Sequence, residues 1–225
     1  MYKEKGDIND LKNWRPITLL NTDYKIYTKT LADRFRTVTG HVIDIDQGCG
    51  LEGRTIHDQL HYIRDFIDYY RETKKTSMLL TIDQEKAFDR VHHDLLLRLL
   101  HKCNYGPMIT EQIRIIYSKM TSRLMINGFL TESFEITRSV RQGDGLSMIL
   151  FIIVSELLGQ IIRHNIDIRP IILPNTPPKK LTTQYADDTT VMTENKKCLS
   201  TLQKTLKHFE KLLDQKSITK KWKFC

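Results

Sequence analysis

The sequence predicts an α+β fold, a small antiparallel sheet with helices packed on it. Three observations predict it. Short β-prone runs alternate with longer stretches whose apolar residues recur at helical spacing. Turn chemistry stands between them, above all Asn127-Gly128 inside RLMINGFLTESFEI. A chain of 225 residues at 40% apolar composition can also bury a sizeable core.

The first helix is expected over about residues 23–39, with Asp23 as N-cap and Gly40 as stop. Tyr24, Tyr27, Leu31, Phe35 and Val38 form its apolar stripe. A glycine-rich turn, GCGLEGR, leads to a second helix from Thr55, with Ile56, Leu60, Ile63, Ile67 and Tyr70 on one face. SMLLTID (77–83) reads as a buried strand that ends on a carboxylate. Helices over about 92–102 and 108–121 precede the hairpin, in which Asn and Gly suit the positive φ of a tight turn. A long apolar helix is expected over about 146–164. RPIILPNTPPKK (169–180) carries four of the six prolines and cannot continue it. LTTQYA and TTVMT then form two short strands, with Asp187 and Asp188 at or near their turn. Leu199, Leu202, Leu206, Phe209 and Leu213 mark an amphipathic helix over about 196–214.

Composition narrows the function. Thirty-five Lys and Arg against 27 Asp and Glu give a net charge of +8, which suits a polyanionic partner, nucleic acid first and an anionic membrane surface second. Cys49, Cys103, Cys198 and Cys225 are widely spaced and form no CxxC pair, so neither a zinc site nor a disulfide framework is indicated. The richest apolar run, MILFIIVSELLGQII, is short for a membrane span and carries Glu156. With no signal-peptide core in MYKEKGDIND, an intracellular protein is expected, nuclear or cytoplasmic and not secreted.

Two strands end in acid, at Asp83 and at Asp187-Asp188. Negative charge at a buried strand end is costly unless a cation meets it. Mg²⁺ takes hard oxygen ligands and is often held by one or two carboxylates plus substrate phosphates. Two such ions about 3.5–4 Å apart clamp the attacking and leaving oxygens of a phosphoryl displacement. Spacing alone leaves a solvated turn as the alternative.

The surrounding motifs extend this reading. LTIDQEKAFDRVHHDLL, VRQGDGLSMILFIIVSELL and QYADDTTVM follow one another in that order, after NWRPITLLNTDYKIYTKTLADRF and DQGCGLEGRTIHDQLHYIRDFI. From about residue 6 to residue 211, the chain resembles the reverse transcriptase domain of LINE-type (non-LTR) retrotransposons. The resemblance implies a polymerase right hand, with fingers over about 1–76 and palm over about 77–215. It implies two Mg²⁺ ions, with Mn²⁺ as a substitute, bound by Asp83, Asp187 and Asp188. RNA template, DNA primer and dNTPs would be the partners, with no membrane.

The resemblance also assigns further roles. Phe88 would lie beneath the incoming sugar and exclude a 2′-hydroxyl; its structural alternative is a core ring. Lys86 and Ala87 would offer backbone N–H groups to the triphosphate. Gln142 and Gly143 would stand at the start of the long helix, whose N-terminus favours phosphate. Arg15 and Arg54 are candidates for triphosphate or template backbone, or for structural ion pairing. Arg141 is a nucleic-acid contact or a surface cation. Tyr185 would support the primer end, or pack within the hairpin. Asp89 and Asp144 are expected to be structural, and Glu156 to pair internally.

Departures from the family pattern are small within the motifs and largest at the chain end. RQGDGLSM carries Gly145 and Met148 where RQGDPLSP is common, and GCGLEGR replaces TGFVPGR. After FEKLL, residues 216–225 fit poorly, so the thumb is expected to be absent or truncated. A catalytically inactive retroelement remnant that only binds nucleic acid is the alternative, and an RNA-templated RNA polymerase a third reading.

Overall fold

The computed structural model describes residues 2–3, 7, 9–10, 13–15, 18–84, 86–168, 171, 173–174, 182–194, 196–213 and 218–224. Strands β1 (Tyr2–Lys3) and β2 (Trp14–Arg15) form a short ribbon ahead of helices α1 (Thr22–Val42) and α2 (Ile56–Glu72). Next come β3 (Met78–Gln84), a 3-10 turn (Ala87–Arg90), α3 (His93–Lys102) and α4 (Pro107–Tyr117). Four two-residue strands follow: β4 (Thr121–Ser122), β5 (Met125–Ile126), β6 (Phe129–Leu130) and β7 (Phe134–Glu135). The chain continues through α5 (Ser147–Arg163), β8 (Thr182–Tyr185), β9 (Asp188–Thr193), α6 (Lys196–Leu212) and β10 (Ile218–Phe224).

The main sheet is antiparallel, in the order β10-β3-β9-β8. Strand β3 is buried on both faces over most of its length, which explains why SMLLTI reads as a continuous apolar run and not as an alternating one. Leu80, Ile82 and Val191 face the larger core with α5, α3 and α6. Leu79 and Met192 face a second cluster built from Tyr62, Phe66 and Tyr70 of α2 with Ile171 and Leu173. Each fully buried side chain of this size contributes about 1.5–3 kcal/mol. At Asn127 and Gly128, φ values of 51° and 86° supply the positive-φ turn expected from that dipeptide.

The helices are where expected, but two faces are turned. α1 starts after Asn21, with Asp23 in its first turn, and runs through Gly40. Its buried stripe is Thr28, Leu31, Ala32, Phe35 and Thr39, while Tyr27 and Val38 are exposed. The threonines can be buried because their hydroxyls donate to Lys25 O (3.3 Å) and Phe35 O (2.7 Å). In α2 the Thr55–Asp58 capping box fixes the expected start; Tyr70 is buried and Ile63 and Ile67 pack on the core as expected, but Gln59, Tyr62 and Phe66 are buried as well and Ile56 and Leu60 are exposed. An aromatic stripe, offset from the aliphatic one, therefore covers the sheet. α4 ends at Tyr117, four residues before the expected stop.

The chain end is the largest correction. Residues 218–224 form a full strand on β3, in register from Ile218↔Gln84 to Phe224↔Met78. The strand that carries Asp83 is therefore flanked on both sides. Among the described residues, no helix is long and apolar enough to cross a membrane.

A buried ionic seam joins α5 to the segment after α1. The Arg163 guanidinium reaches Asp44 (3.5 Å), Asp46 (3.3 Å) and Glu156. Glu156 accepts from Gln160 Nε2 (2.6 Å), and burial pushes its carboxyl above the ordinary carboxylate range. The internal pairing expected of Glu156 is thus present. Gly159 belongs to the seam, because a Cβ there would lie 2.7 Å from Arg163 Nη1 and 2.9 Å from Gln184 Oε1.

Two outcomes follow from this packing. Arg163→Met leaves three acids around one lost cation and lowers unfolding free energy by about 3–5 kcal/mol, whereas Glu156→Gln changes it by less than about 1 kcal/mol; denaturant titration checks both. Deleting residues 216–225 uncovers the β3 edge, lowers Tm and produces self-association in size-exclusion chromatography.

Candidate functional site

Three aspartates meet at one end of the main sheet. The β3–β9 register runs from Met78↔Thr193 to Ile82↔Thr189, so the next step brings Asp83 abreast of Asp188. Strand alternation puts both on the face that holds Leu79 and Met192. Asp83 and Asp188 are exposed and Asp187 is half-buried in the turn. Opposed residues of this kind hold their Cβ atoms about 4.5–5.5 Å apart, and like charges there repel. Among the described residues, no three His, Cys, Asp or Glu side chains enclose a metal position. The donor set nonetheless suits a hard dication: it consists of carboxylate oxygens open to solvent, and Mg²⁺ keeps waters and phosphate oxygens in its shell instead of needing an all-protein cage.

The turn itself is strained. Tyr185 pairs with Asp188, so Ala186 and Asp187 form a two-residue hairpin loop. Ala186 has φ 54°, at the position where glycine is the usual choice. A residue with a Cβ adopts that conformation at a cost of about 1–2 kcal/mol. Ala186 is held from behind. Its N–H donates to Gln47 Oε1 (3.0 Å), and its carbonyl accepts from Gln47 Nε2 (3.4 Å) and Ser155 Oγ (3.4 Å). Residues 46–48 run alongside β8: Gln184 N donates to Asp46 O and Gly48 N to Gln184 O, each at 2.8 Å. Tyr185 is exposed at the strand end, near the Cys49 thiol, whose pKa burial pushes up.

A second group gathers around the 3-10 turn after β3. Lys86 is exposed and has φ 52°, and its carbonyl accepts from Asp89 N (2.9 Å). Ala87 is buried. Phe88 is half-buried and stacks on Phe151, with ring centroids 4.7 Å apart and an interplanar angle of 15°. Its carbonyl accepts from Val140 N (2.9 Å), while Gln142 Nε2 donates to Asp89 Oδ1 (3.2 Å). The segments containing KAFD and RQGD are therefore tied together. Gly143, exposed with φ 84°, needs its glycine for the backbone conformation, since a Cβ there would meet nothing within 4 Å.

α5 begins at Ser147, one residue past the expected start, and Asp144 Oδ1 accepts from Leu146 N (3.2 Å) ahead of it, the structural place expected of that carboxylate. Asp144 Oδ2 also accepts from the Tyr24 hydroxyl (3.1 Å), and Arg141 lies over the Tyr24 ring at 4.6 Å. Burial, then Asp144, push the Tyr24 hydroxyl well above its ordinary range.

Arg54 and Arg15 have other surroundings. Arg54 donates to four backbone carbonyls: Asp44, Ile43 (2.9 Å), Gly40 (3.0 Å) and Gln47 (3.1 Å). Its planar fork holds Gly40 and the 43–47 segment by their carbonyls, contacts of the structural kind, though with carbonyls in place of an ion-pair partner. Arg15 belongs to the β1–β2 ribbon. Motif reading missed Gln47, since a single amide between Asp and Gly carries no local signal of a contact 139 residues away.

Comparison with known proteins agrees with this architecture. Residues 2–225 match the family model "Reverse transcriptase (RNA-dependent DNA polymerase)", so the match includes 216–225, where motif comparison expects a poor fit. The chain is 34% identical over 195 residues to the transposon TX1 uncharacterized 149 kDa protein of Xenopus laevis, covering 87% of this chain and 15% of that protein. It is 27% identical over 216 residues to the retrovirus-related Pol polyprotein from type-1 retrotransposable element R2 of Popillia japonica, covering 94% and 29%. The RNA-directed DNA polymerase from mobile element jockey of Drosophila melanogaster is 26% identical over 204 residues, covering 89% and 21%. The chain thus spans 15% to 29% of the length of these relatives. Telomerase from Candida tropicalis, solved with a TWJ fragment of telomeric RNA, superposes with a TM-score of 0.66 at 13% identity, covering 90% of this chain and 35% of that one. The apo form gives 0.62 at 12% identity, covering 88% and 36%, which establishes a shared right-hand polymerase fold. The chain belongs to the reverse transcriptase family, in its LINE-type (non-LTR) retrotransposon branch.

Proposed function

We propose that the chain is an RNA-directed DNA polymerase domain that adds dNTPs to a DNA primer on an RNA template. The observation that carries this reading is the side-by-side placement of Asp83 and Asp188 on one sheet face, with Asp187 in the adjoining turn. Residues 1–76 serve as fingers and 77–215, with β10, as palm. The primer 3′-hydroxyl oxygen attacks the α-phosphorus, the bond to pyrophosphate breaks, and the hydroxyl proton passes to solvent. Two Mg²⁺ ions, or Mn²⁺ in their place, held by the three aspartates would lower the pKa of that hydroxyl and neutralise the triphosphate.

The chain's own groups supply positioning. Phe88, fixed by its stack on Phe151, is the wall that meets a ribose 2′-hydroxyl. Lys86, Ala87, Gln142 and Gly143 line the nucleotide, held as one unit by the Val140–Phe88 and Gln142–Asp89 bonds. Tyr185 supports the primer end, and Arg141 and Arg15 meet the nucleic-acid backbone. Such chemistry finds its template in the nucleus or cytoplasm. The second reading is a remnant that only binds nucleic acid, which the net charge of +8 supports without any chemistry.

Primer extension separates the two. Asp83→Asn lowers dNTP incorporation by about a hundredfold or more. Its Tm equals or exceeds that of wild type, because a like-charge cross-strand pair is removed. Binding that weakens steeply with salt, with no incorporation by wild type at any Mg²⁺ or Mn²⁺ concentration, would establish the remnant instead. In an active protein, Phe88→Val reduces discrimination between dNTP and rNTP by about tenfold or more, read as a ratio of kcat/KM values.

A further inference from the structure

The geometry points to Gln47 as a positioning residue that sets the conformation of the turn presenting Asp187 and Asp188. The inference rests on the polymerase reading for its effect on rate, but not for its effect on structure. β8 ends its pairing at Tyr185, and the left-handed Ala186 turns the chain away from the ladder. A residue in that position loses its strand partners, leaving one donor and one acceptor to be satisfied. The Gln47 carboxamide offers one of each, at 3.0 Å to the Ala186 N–H and 3.4 Å to its carbonyl.

Gln47 is itself fixed. It is 1% exposed, and its Oε1 also accepts from Cys49 N at 3.0 Å. Its neighbours Asp46 and Gly48 bond to Gln184 on β8, and its carbonyl accepts from Arg54. The amide therefore extends the 46–48 pairing by one side chain, past the point where backbone pairing can reach. Its two contacts restrain the residue immediately before Asp187. Neither contact lies on the nucleotide-side group of Phe88 and Gln142, so removing them should act on kcat and leave the dNTP KM in place.

Amide-resolved hydrogen exchange on the full chain tests the structural half without reference to activity. In wild type, the Ala186 amide exchanges slowly although it sits at a hairpin tip; an unprotected Ala186 amide overturns the inference. Gln47→Met keeps side-chain length and removes both polar contacts. It is expected to speed exchange at Ala186 and Cys49 by about tenfold, with Leu80 and Val191 unchanged. Gln47→Glu retains the oxygen acceptor, so both amides stay slow; fast exchange at both overturns the assignment even if the Met variant does not fold. In primer extension, Gln47→Met lowers kcat by about tenfold with dNTP KM within about twofold of wild type. Adding Ala186→Gly, which accepts positive φ without cost, restores most of that rate. A general packing role for Gln47 would show no such rescue at Ala186. If wild type extends no primer, the polymerase reading fails, while the exchange comparison still decides the role of Gln47.

Discussion

Two adjacent carboxylates can be presented at the end of this sheet because of the contact between the Gln47 amide and the Ala186 backbone. Asp187 and Asp188 follow a residue whose Cβ opposes the conformation it adopts, so the turn depends on what stands behind it. That support comes from the segment between α1 and α2, which is held by Arg54 on its carbonyls and by Arg163 on its carboxylates. Helix α5 contributes Arg163, Glu156 and Ser155 to the arrangement, and its face toward the 3-10 turn contributes Phe151. One helix thus buttresses both the carboxylate turn and the ring at Phe88.

Much of the fold was legible in the sequence, because each long element announces itself by period or by turn chemistry. The capping box at Thr55 and the Asn127-Gly128 turn are local signals, and both are present as read. Helix faces were less legible. Periodicity ranks side chains by apolarity, whereas burial in α1 admits Thr28 and Thr39 because their hydroxyls are satisfied within the helix. In α2 the rings of Tyr62 and Phe66 are buried against Leu79 and Met192, with Ile63 and Ile67 packed at their side. β10 was missed because a short lysine-rich stretch has weak strand propensity and acquires its structure from the β3 edge.

The candidate site divides in the same way. Asp83, Asp187 and Asp188 were singled out because strand ends and family motifs coincide there, and the structure places Asp83 abreast of Asp188 with Asp187 in the adjoining turn. The arginines were less tractable: Arg54 is identical in sequence terms whether its fork meets phosphate or carbonyl, and only the tertiary arrangement shows four carbonyls around it. Gln47 and Arg163 were invisible for a related reason. Each acts across more than a hundred residues, Gln47 on Ala186 and Arg163 on Asp46, and neither carries a spacing that points to its partner.

The sheet order has a kinetic consequence. β3 pairs with β9 and β10, so the strand bearing Asp83 takes partners that lie more than a hundred residues after it in the chain. During translation, an apolar strand waits without neighbours while more than a hundred further residues emerge. Closing loops of this size is slow compared with forming the surrounding helices. The nascent chain therefore passes through a stage with helices formed and the central strand unpaired, the kind of species that chaperones retain and that aggregates when they do not.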